Sequence, residues 1–502
     1  MNRIGVIDIG PNSLRLMLTE VEENGYFKIV DELKSPIRLC SDLVDGREIC
    51  TDKISLILST LRAFKSLCMV SGASKIIAVA TESFRTADNK DLLISTIKNE
   101  LDVDVRVLSC EEEMHYNFIG VTRSIFVENS LMVEVEGTNT HLAWIKDGHI
   151  IKSATLPFGC VNLSYNFNLT DRISTESLDI TTQLIHSHLQ DLPWLTENEY
   201  DSIIGVGGTI RAIGKLDRTH KRYPFDISHN YELNDLDVHN IYNLMKSKDY
   251  RQRCKIEGFD SQISDVIVGG LTIFNTIVKC VNNRNIIISA RGLKEGILYE
   301  YINSKTQIND DILDYSINGI LDTLNINKEH ANHVFWITTK LFDSLKPLHH
   351  LDCRYNHIVK TATMLHDCGT SIDYYNHHLH SFYIILHSYI NGLTHKELLM
   401  SASIAACHRF NNYHVPKPPF ASIINGLDVQ AMDYISVLLK IAEGLDRSLV
   451  GAVSDLNVEF DDTSVIITVT SNIDLELEIL QAYRAADNFK EIYRRDLVIR
   501  KK

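Results

Sequence analysis

The sequence predicts an α/β protein whose second half turns helical, and three observations carry that prediction. An apolar run from Ile4 to Asp8 leads through Gly10, Pro11, Asn12 and Ser13 into a second alternating strand. A similar run, Leu131 to Glu136, leads through Gly137 and Thr138 into Thr140 to Ile145. Strand patterns stop after about residue 304, and helical periodicity takes over until about 450. At 502 residues the chain is too long for one core and suggests about three domains.

In chain order, the first run reads as a buried strand, and Gly10 lets the backbone turn tightly enough for main-chain N–H groups, Asn12 and Ser13 to face an anion. Asp8 stands at the strand tip, where a carboxylate can hold Mg2+ beside a phosphate. Ile54, Ile57, Leu58, Leu61 and Phe64 mark a helix beginning near Thr51, followed by a strand from Ile76 to Ala80. A helix from near Ser83 would set Arg85 and Asn89 on one face, with the arginine placed to grip phosphate oxygens. The strand Val103 to Val107 runs into Ser109-Cys110-Glu111-Glu112-Glu113. Ser109 and Glu112 form a capping box, which leaves Glu113 unexplained by helix starting alone. Ser202-Ile203-Ile204 leads into Gly205-Val-Gly207-Gly208-Thr209, a strand, glycine turn and helix N-terminus whose N–H groups can cradle phosphate. The tail reads as strands Leu456 to Phe460 and Val465 to Thr470, then a helix from about Leu475 to Tyr493.

Composition narrows the class. Hydrophobic residues make up 44% with no long apolar run, so no transmembrane helix is expected. Met1 is followed almost at once by the first strand, leaving no room for a secretory leader, so a cytoplasmic protein is expected. Ten cysteines, among them Cys40, Cys50 and Cys353, lie scattered without a Cys-x-x-Cys pair and read as reduced, mostly core residues. A net charge of −15 argues against general nucleic-acid binding, and an anionic ligand would need a local basic cleft.

Asp8-Ile-Gly10-Pro-Asn12-Ser13-Leu-Arg15-Leu resembles the signature opening of the exopolyphosphatase and guanosine pentaphosphate phosphohydrolase (Ppx/GppA) family. Pro11 stands where that family usually has serine. Ser109 to Glu113, Arg85 with Asn89, Gly205 to Thr209, and Ser289-Ala-Arg-Gly292-Leu-Lys-Glu295-Gly296 resemble further family segments. The resemblance implies two actin-like (ribonuclease H-like) lobes, 1–127 and 128–303, sharing a phosphate cleft. It assigns Glu113 as catalytic base and implies Mg2+ at Asp8 and Glu134. Phosphate contacts fall to Gly10, Asn12, Ser13, Arg85, Asn89, Gly137, Gly207, Gly208 and Thr209. The implied partners are inorganic polyphosphate or guanosine penta/tetraphosphate, with homodimerisation as in relatives.

The second phosphate loop departs from the family's Asp-x-Gly-Gly-Gly-Ser-x-Glu. It reads Glu134-Val-Glu136-Gly137-Thr138-Asn139-Thr140-His141, so His141 replaces an acid and one glycine of three remains. Glu136 within ~4 Å of a phosphate would cost roughly 4 kcal/mol at an effective dielectric near 20, unless a metal bridges them.

Twelve of the twenty-one histidines lie between His330 and His408. His333, His366-Asp367 and Asp446 follow the order of the HD metal-dependent phosphohydrolase fold, which 304–450 resembles, with 451–502 as a small α+β segment. His366 and Asp367 on an apolar helix would be costly to bury unless they ligate something, and imidazole with carboxylate suits Mn2+, Fe or Zn2+. His380 and His408 can complete a second position.

The expected function is release of terminal orthophosphate from polyphosphate or guanosine pentaphosphate. Two alternatives stand beside it: metal-dependent hydrolysis of nucleotides at the HD site, and a catalytically impaired polyphosphate or alarmone sensor.

Overall fold

A parallel pair joined to an antiparallel meander is the element from which the first part of the chain is built, and it occurs twice. The computed structural model describes residues 2–39, 48–409 and 417–502; Cys40 lies outside the described residues. It divides into two units, Met1–Asp310 and Asp311–Lys502.

In the first lobe, β1 (Asn2–Ile9), β2 (Ser13–Val21) and β3 (Phe27–Pro36) form the meander, and β4 (Ala73–Ala80) and β5 (Val105–Val107) extend it in parallel, in the order β3-β2-β1-β4-β5. β1 is central and apolar, so Val6, Ile7 and Ile9 are fully buried. α1 (Thr51–Val70) lays Ile57, Leu61 and Phe64 on this sheet. Each fully buried side chain of that kind stabilises by about 1.5–3 kcal/mol. α2 (Glu82–Thr86), α3 (Lys90–Leu101) and α4 (Cys110–Thr122) complete the lobe.

The second lobe repeats the plan. β6 (Asn129–Val135), β7 (Thr140–Lys146) and β8 (His149–Leu156) form the meander, and β9 (Ser202–Val206) and β11 (Ile286–Ile288) run parallel to β6, with β10 (Tyr231–Leu233) antiparallel at the edge. Asp8 pairs with Arg15 and Val79, and Glu134 pairs with His141 and Val206. The two carboxylates therefore hold equivalent places in a duplicated topology. α5 (Cys160–Asn166), α6 (Thr175–Gln190), α7 (Gly208–Lys221), α8 (Asp235–Lys246) and α9 (Ile267–Val281) surround this sheet, and α10 (Leu293–Asn303) returns to α4. Only glycine allows that return: a Cβ at Gly296 would lie 1.9 Å from the Tyr116 carbonyl oxygen.

The second unit is helical where the strand signals stop. Its longer helices are α11 (Ile312–Thr323), α12 (Lys328–Ser344), α13 (Asn356–Met364), α14 (His377–His387), α15 (His395–Cys407) and α16 (Gly426–Leu445). The tail has the expected strand pair, β12 (Asp455–Phe460) and β13 (Ser464–Thr470), and the expected helix as α17 (Glu476–Ala482) and α18 (Ala486–Tyr493) joined by a tight turn. It also has a strand the sequence reading lacks: β14 (Asp496–Lys501) pairs parallel to β13 and buries Leu497 and Ile499. Cys50 and Cys353 are exposed rather than in the core, and no disulfide forms among the described residues. No helix of the described residues is long and apolar enough to cross a membrane.

Candidate active site

The cleft of the first unit is built from strand tips and helix starts. Asp8, near the end of β1, is 9% exposed, and its Oδ1 is buried without a hydrogen-bond partner. Burial raises its pKa against the pull of Arg15 and Lys294. In the turn after it, Gly10 N donates to Ser13 O at 3.2 Å, and Ser13 Oγ accepts from Arg15 Nε at 3.2 Å. Glu134, at the equivalent tip, accepts from Asn117 Nδ2 at 2.6 Å. Burial, then Glu136, raises its pKa well above the ordinary range. A buried carboxylate oxygen with no donor on Asp8, with Glu134 at the matching tip, suits a hard divalent cation such as Mg2+.

Glu113 lies in the first turn of α4, behind the realised Ser109/Glu112 capping box. It is fully buried, and Arg85 Nη1 donates to its Oε1 at 2.5 Å and to Leu108 O at 2.6 Å. Arg85 Nη2 is buried with no partner, a donor left for an oxyanion. Burial, then Glu136, pushes Glu113 up to about 7.

The departing loop is where the structure adds most. His141 Nε2 lies 3.7 Å from Glu113 Oε2 and 3.5 Å from Glu136 Oε2, and its Nδ1 lies 3.0 Å from Thr155 Oγ1. Burial pulls the imidazole down, and the two carboxylates overcome it and push it up to about 11. The residue that replaces the family's acid is thus a cation that offsets the extra acid at Glu136. Thr138 N donates to Glu82 Oε2 at 3.2 Å, so one main-chain donor of this loop already faces a carboxylate. Burial, with Glu136 next, pushes Glu82 up to about 8. Gly137 faces Pro11 of the first loop, where an added Cβ would lie 3.3 Å from the proline Cβ.

Gly207 takes φ +98°, which carries the chain from β9 into α7 with no side chain capping the helix. The first-turn N–H groups at Gly208 and Thr209 lie next to the Glu134 tip, since Gly207 packs on the Glu134 side chain. The Thr209 side chain is buried and abuts Gly270, so it is the backbone here that suits an anion.

Comparison with known protein families matches residues 18–305 to the Ppx/GppA phosphatase family and residues 312–487 to Ppx/GppA phosphatase, domain III. The chain belongs to the Ppx/GppA phosphatase family. Among curated relatives, a guanosine-5'-triphosphate,3'-diphosphate pyrophosphatase of Pseudoalteromonas atlantica is 25% identical over 77% of this chain and 76% of its own. One of the same name from Aeromonas hydrophila is 22% identical over 93% and 92%. The Ppx/GppA family member of Aquifex aeolicus, a crystal structure, superposes with a TM-score of 0.54 at 25% identity, covering 61% of this chain and 98% of that one. An exopolyphosphatase from Cytophaga hutchinsonii gives a TM-score of 0.57 at 23% identity over 62% and 99%.

Within this Ppx/GppA protein, Asn89 does not join the cleft. α2 ends at Thr86, Ala87 is extended, and Asn89 stands before α3, where its side chain donates to Ile49 O at 2.9 Å and accepts from Ile49 N at 3.1 Å. Arg85 and Asn89 therefore share no helix face, and Asn89 ties down the backbone ahead of α1.

In domain III the expected metal residues sort unevenly. His366, Asp367 and His408 converge, together with His330, His377 and Glu443, in two groups whose candidate ligand atoms lie within 4.8 Å of one another. His333 does not reach them: its Nδ1 lies 2.9 Å from Asp446 Oδ1 and its Nε2 2.8 Å from Val453 O. Asp446 is one step behind, 2.7 Å from His330 Nδ1 through Oδ2 and accepting from Gly451 N through Oδ1. His380 is packed against Gly369 and belongs to neither group. His330 had a sequence signal, since it falls in the buried stripe Ala331, Val334, Ile337, Thr338 and Leu341, where His333 does not.

Proposed function

We propose that the chain is a Mg2+-dependent phosphohydrolase that removes the terminal phosphate of guanosine pentaphosphate or of inorganic polyphosphate in the cleft of the first unit. The observation that carries this reading is Glu113: a fully buried carboxylate, oriented by Arg85 at 2.5 Å and raised to about 7. A base of that pKa takes a proton from water efficiently near neutral pH. In the proposed reaction Glu113 orients and deprotonates the attacking water, and Arg85 Nη2 holds an oxygen of the terminal phosphate. The N-terminus of α7 and the Gly10 to Ser13 turn hold the neighbouring phosphates. Asp8 and Glu134 would hold Mg2+, whose charge neutralises the leaving phosphate. The relatives named for guanosine-5'-triphosphate,3'-diphosphate hydrolysis and the exopolyphosphatase fold support the two substrates.

A second reading is a sensor that binds such a ligand without turning it over. The Thr138 N–H engaged by Glu82, and two acids around His141, favour it. Orthophosphate release from guanosine pentaphosphate with Mg2+ separates the two: turnover abolished by Glu113→Gln supports the enzyme, and tight binding with no turnover in the native chain supports the sensor. For domain III an HD-type fold remains part of the proposal, on the His366-Asp367 pair.

A further inference from the structure

Outside the cleft, the second lobe has a cavity of about 620 Å³, within the range of small-molecule sites. Thr170, Asp171 and Arg172 line it from the loop between α5 and α6, and Asp249, Tyr250 and Arg251 from the start of the short helix Tyr250–Arg253. Asp265, just ahead of α9, closes one wall. Internal bonds hold this lining in place. Arg253 is fully buried, and its Nη2 donates to the carbonyl oxygens of both Thr170 and Asp171. Burial lowers its pKa against the pull of Asp171, Asp249 and Asp265, so all three pocket carboxylates stand near it. Tyr250 N donates to Asp171 Oδ1 at 2.8 Å, Gln252 N donates to Asp249 Oδ1 at 2.8 Å, and the Tyr250 side chain is hydrogen-bonded to that of Cys254. Asp265 Oδ2 accepts from Arg38 Nη1 at 3.3 Å and from the Tyr165 hydroxyl at 3.2 Å.

The groups these bonds leave over define a ligand. Arg172 and Arg251 are exposed and make no hydrogen bond or ion pair among the described residues. Arg253 keeps Nε and Nη1 buried with no partner. Asp171 and Asp249 each engage only Oδ1, so one carboxylate oxygen of each is left as an acceptor. The Tyr250 ring is 37% exposed and offers a flat face. A ligand that meets all of these carries negative charge, N–H donors and an aromatic ring in one molecule, which describes a purine nucleotide. Guanine presents two neighbouring N–H donors that match a carboxylate, whereas adenine sets an acceptor there. Inorganic polyphosphate has neither donor nor ring, and the three carboxylates repel it.

Arg38 joins this pocket to the cleft. Its main-chain N–H donates to Asn12 O at 3.1 Å in the phosphate turn, while its guanidinium lies on Asp265. One arginine side chain thus separates the two, a span that a nucleotide's triphosphate bridges.

We propose that this pocket takes the nucleoside end of guanosine pentaphosphate, with the base on Tyr250 and its N–H edge at the spare oxygens of Asp171 and Asp249. The 3′-diphosphate lies between Arg172 and Arg251. This rests on the cleft holding the 5′-terminal phosphate, and it makes the chain select the guanine nucleotide over polyphosphate.

Phosphate release by the full-length chain is measured with guanosine pentaphosphate and with inorganic tripolyphosphate, in native, Tyr250→Ala, Arg251→Ala and Lys255→Ala proteins. Tyr250→Ala and Arg251→Ala each raise KM for guanosine pentaphosphate about tenfold at constant kcat, the mark of lost ground-state binding. KM for tripolyphosphate stays constant, and Lys255→Ala, at an exposed residue outside the pocket, changes neither. An unchanged KM for guanosine pentaphosphate in Arg251→Ala, or a parallel rise for both substrates, overturns the pocket. Calorimetry with guanosine tetraphosphate separates this from the cleft. If the native chain releases no phosphate, the cleft reading fails by itself; binding about tenfold weaker in both variants still supports the pocket, and unchanged binding overturns it. GTP, which lacks the 3′-diphosphate, weakens with Tyr250→Ala alone, and an equal loss with Arg251→Ala overturns the placing of that diphosphate. Tyr250 and Arg251 are exposed, so neither substitution opens the core, and Arg251→Lys recovers most of the affinity.

Discussion

Restoring the family's acid at position 141 should harm this protein, because the cation at that position offsets two buried carboxylates. In the native chain His141 Nε2 lies 3.7 and 3.5 Å from Glu113 and Glu136, and each pair is worth about 4–5 kcal/mol at an effective dielectric near 20. His141→Glu turns both attractions into repulsions. The cost is capped by protonation: holding a carboxyl neutral at pH 7 against an ordinary value near 4.3 requires about 3–4 kcal/mol. The variant should therefore lose the His141 attraction at both pH values and, on top of it, about 3–4 kcal/mol at pH 7 but only about 1 kcal/mol at pH 5 for keeping a carboxyl neutral. The native protein shares this direction, with stability falling as pH rises, but through the histidine. A histidine raised from 6.5 to about 11 contributes its full stabilisation below pH 6.5 and loses it as pH rises through 11. Urea titrations at pH 5 to 9, read by circular dichroism, measure both curves. Adding Glu136→Gln to His141→Glu should recover about half of the repulsive part of the loss, since one of the two repulsions goes. Equal stability of His141→Glu and the native chain at pH 7 would refute the assignment of His141 as a buried cation between the acids.

Asn89→Ala should lower stability by about 1–3 kcal/mol by freeing both backbone groups of Ile49, while KM for the phosphate substrate stays constant. A raised KM at unchanged stability would return Asn89 to the cleft. Gly296→Ala forces a Cβ onto the Tyr116 carbonyl and should cost about 3 kcal/mol or more, seen as loss of soluble protein or a lowered urea midpoint. Because Glu113 must be ionised to act as base, kcat/KM should fall as pH drops through about 7, and steady-state kinetics from pH 5.5 to 8.5 should locate that limb.

What the sequence disclosed depended on how locally each feature was encoded. Asp8 and Glu134 close continuous apolar strands, so their placement at equivalent strand tips was legible, as was the duplication behind them. The capping box that leaves Glu113 over is local too. Asn89 falls off the expected face because the helix around Arg85 stops at Thr86, where Ala87 turns extended and buried with no proline or glycine to mark the end. At the departing loop, composition alone made Glu136 a liability, since its neutralisation by His141 depends on the register of β6 against β7 and on α4. In domain III, His333 and His330 lie one turn apart, and only the buried stripe of α12 distinguishes them. Glu443 lies three residues before Asp446 at the end of α16 and is turned toward His366 by the helix phase, while Asp446 supports His330 from behind. β14 was missed because a short strand at the chain end pairs with β13 in parallel and has no hairpin to announce it.

The central claim, that the first-unit cleft is the phosphohydrolase site, is tested most directly by orthophosphate release from guanosine pentaphosphate with Mg2+ in native, Glu113→Gln and Asp367→Ala proteins. The account predicts that Glu113→Gln alone abolishes release while substrate still binds. Release that survives Glu113→Gln and disappears in Asp367→Ala would contradict it and move the chemistry to domain III.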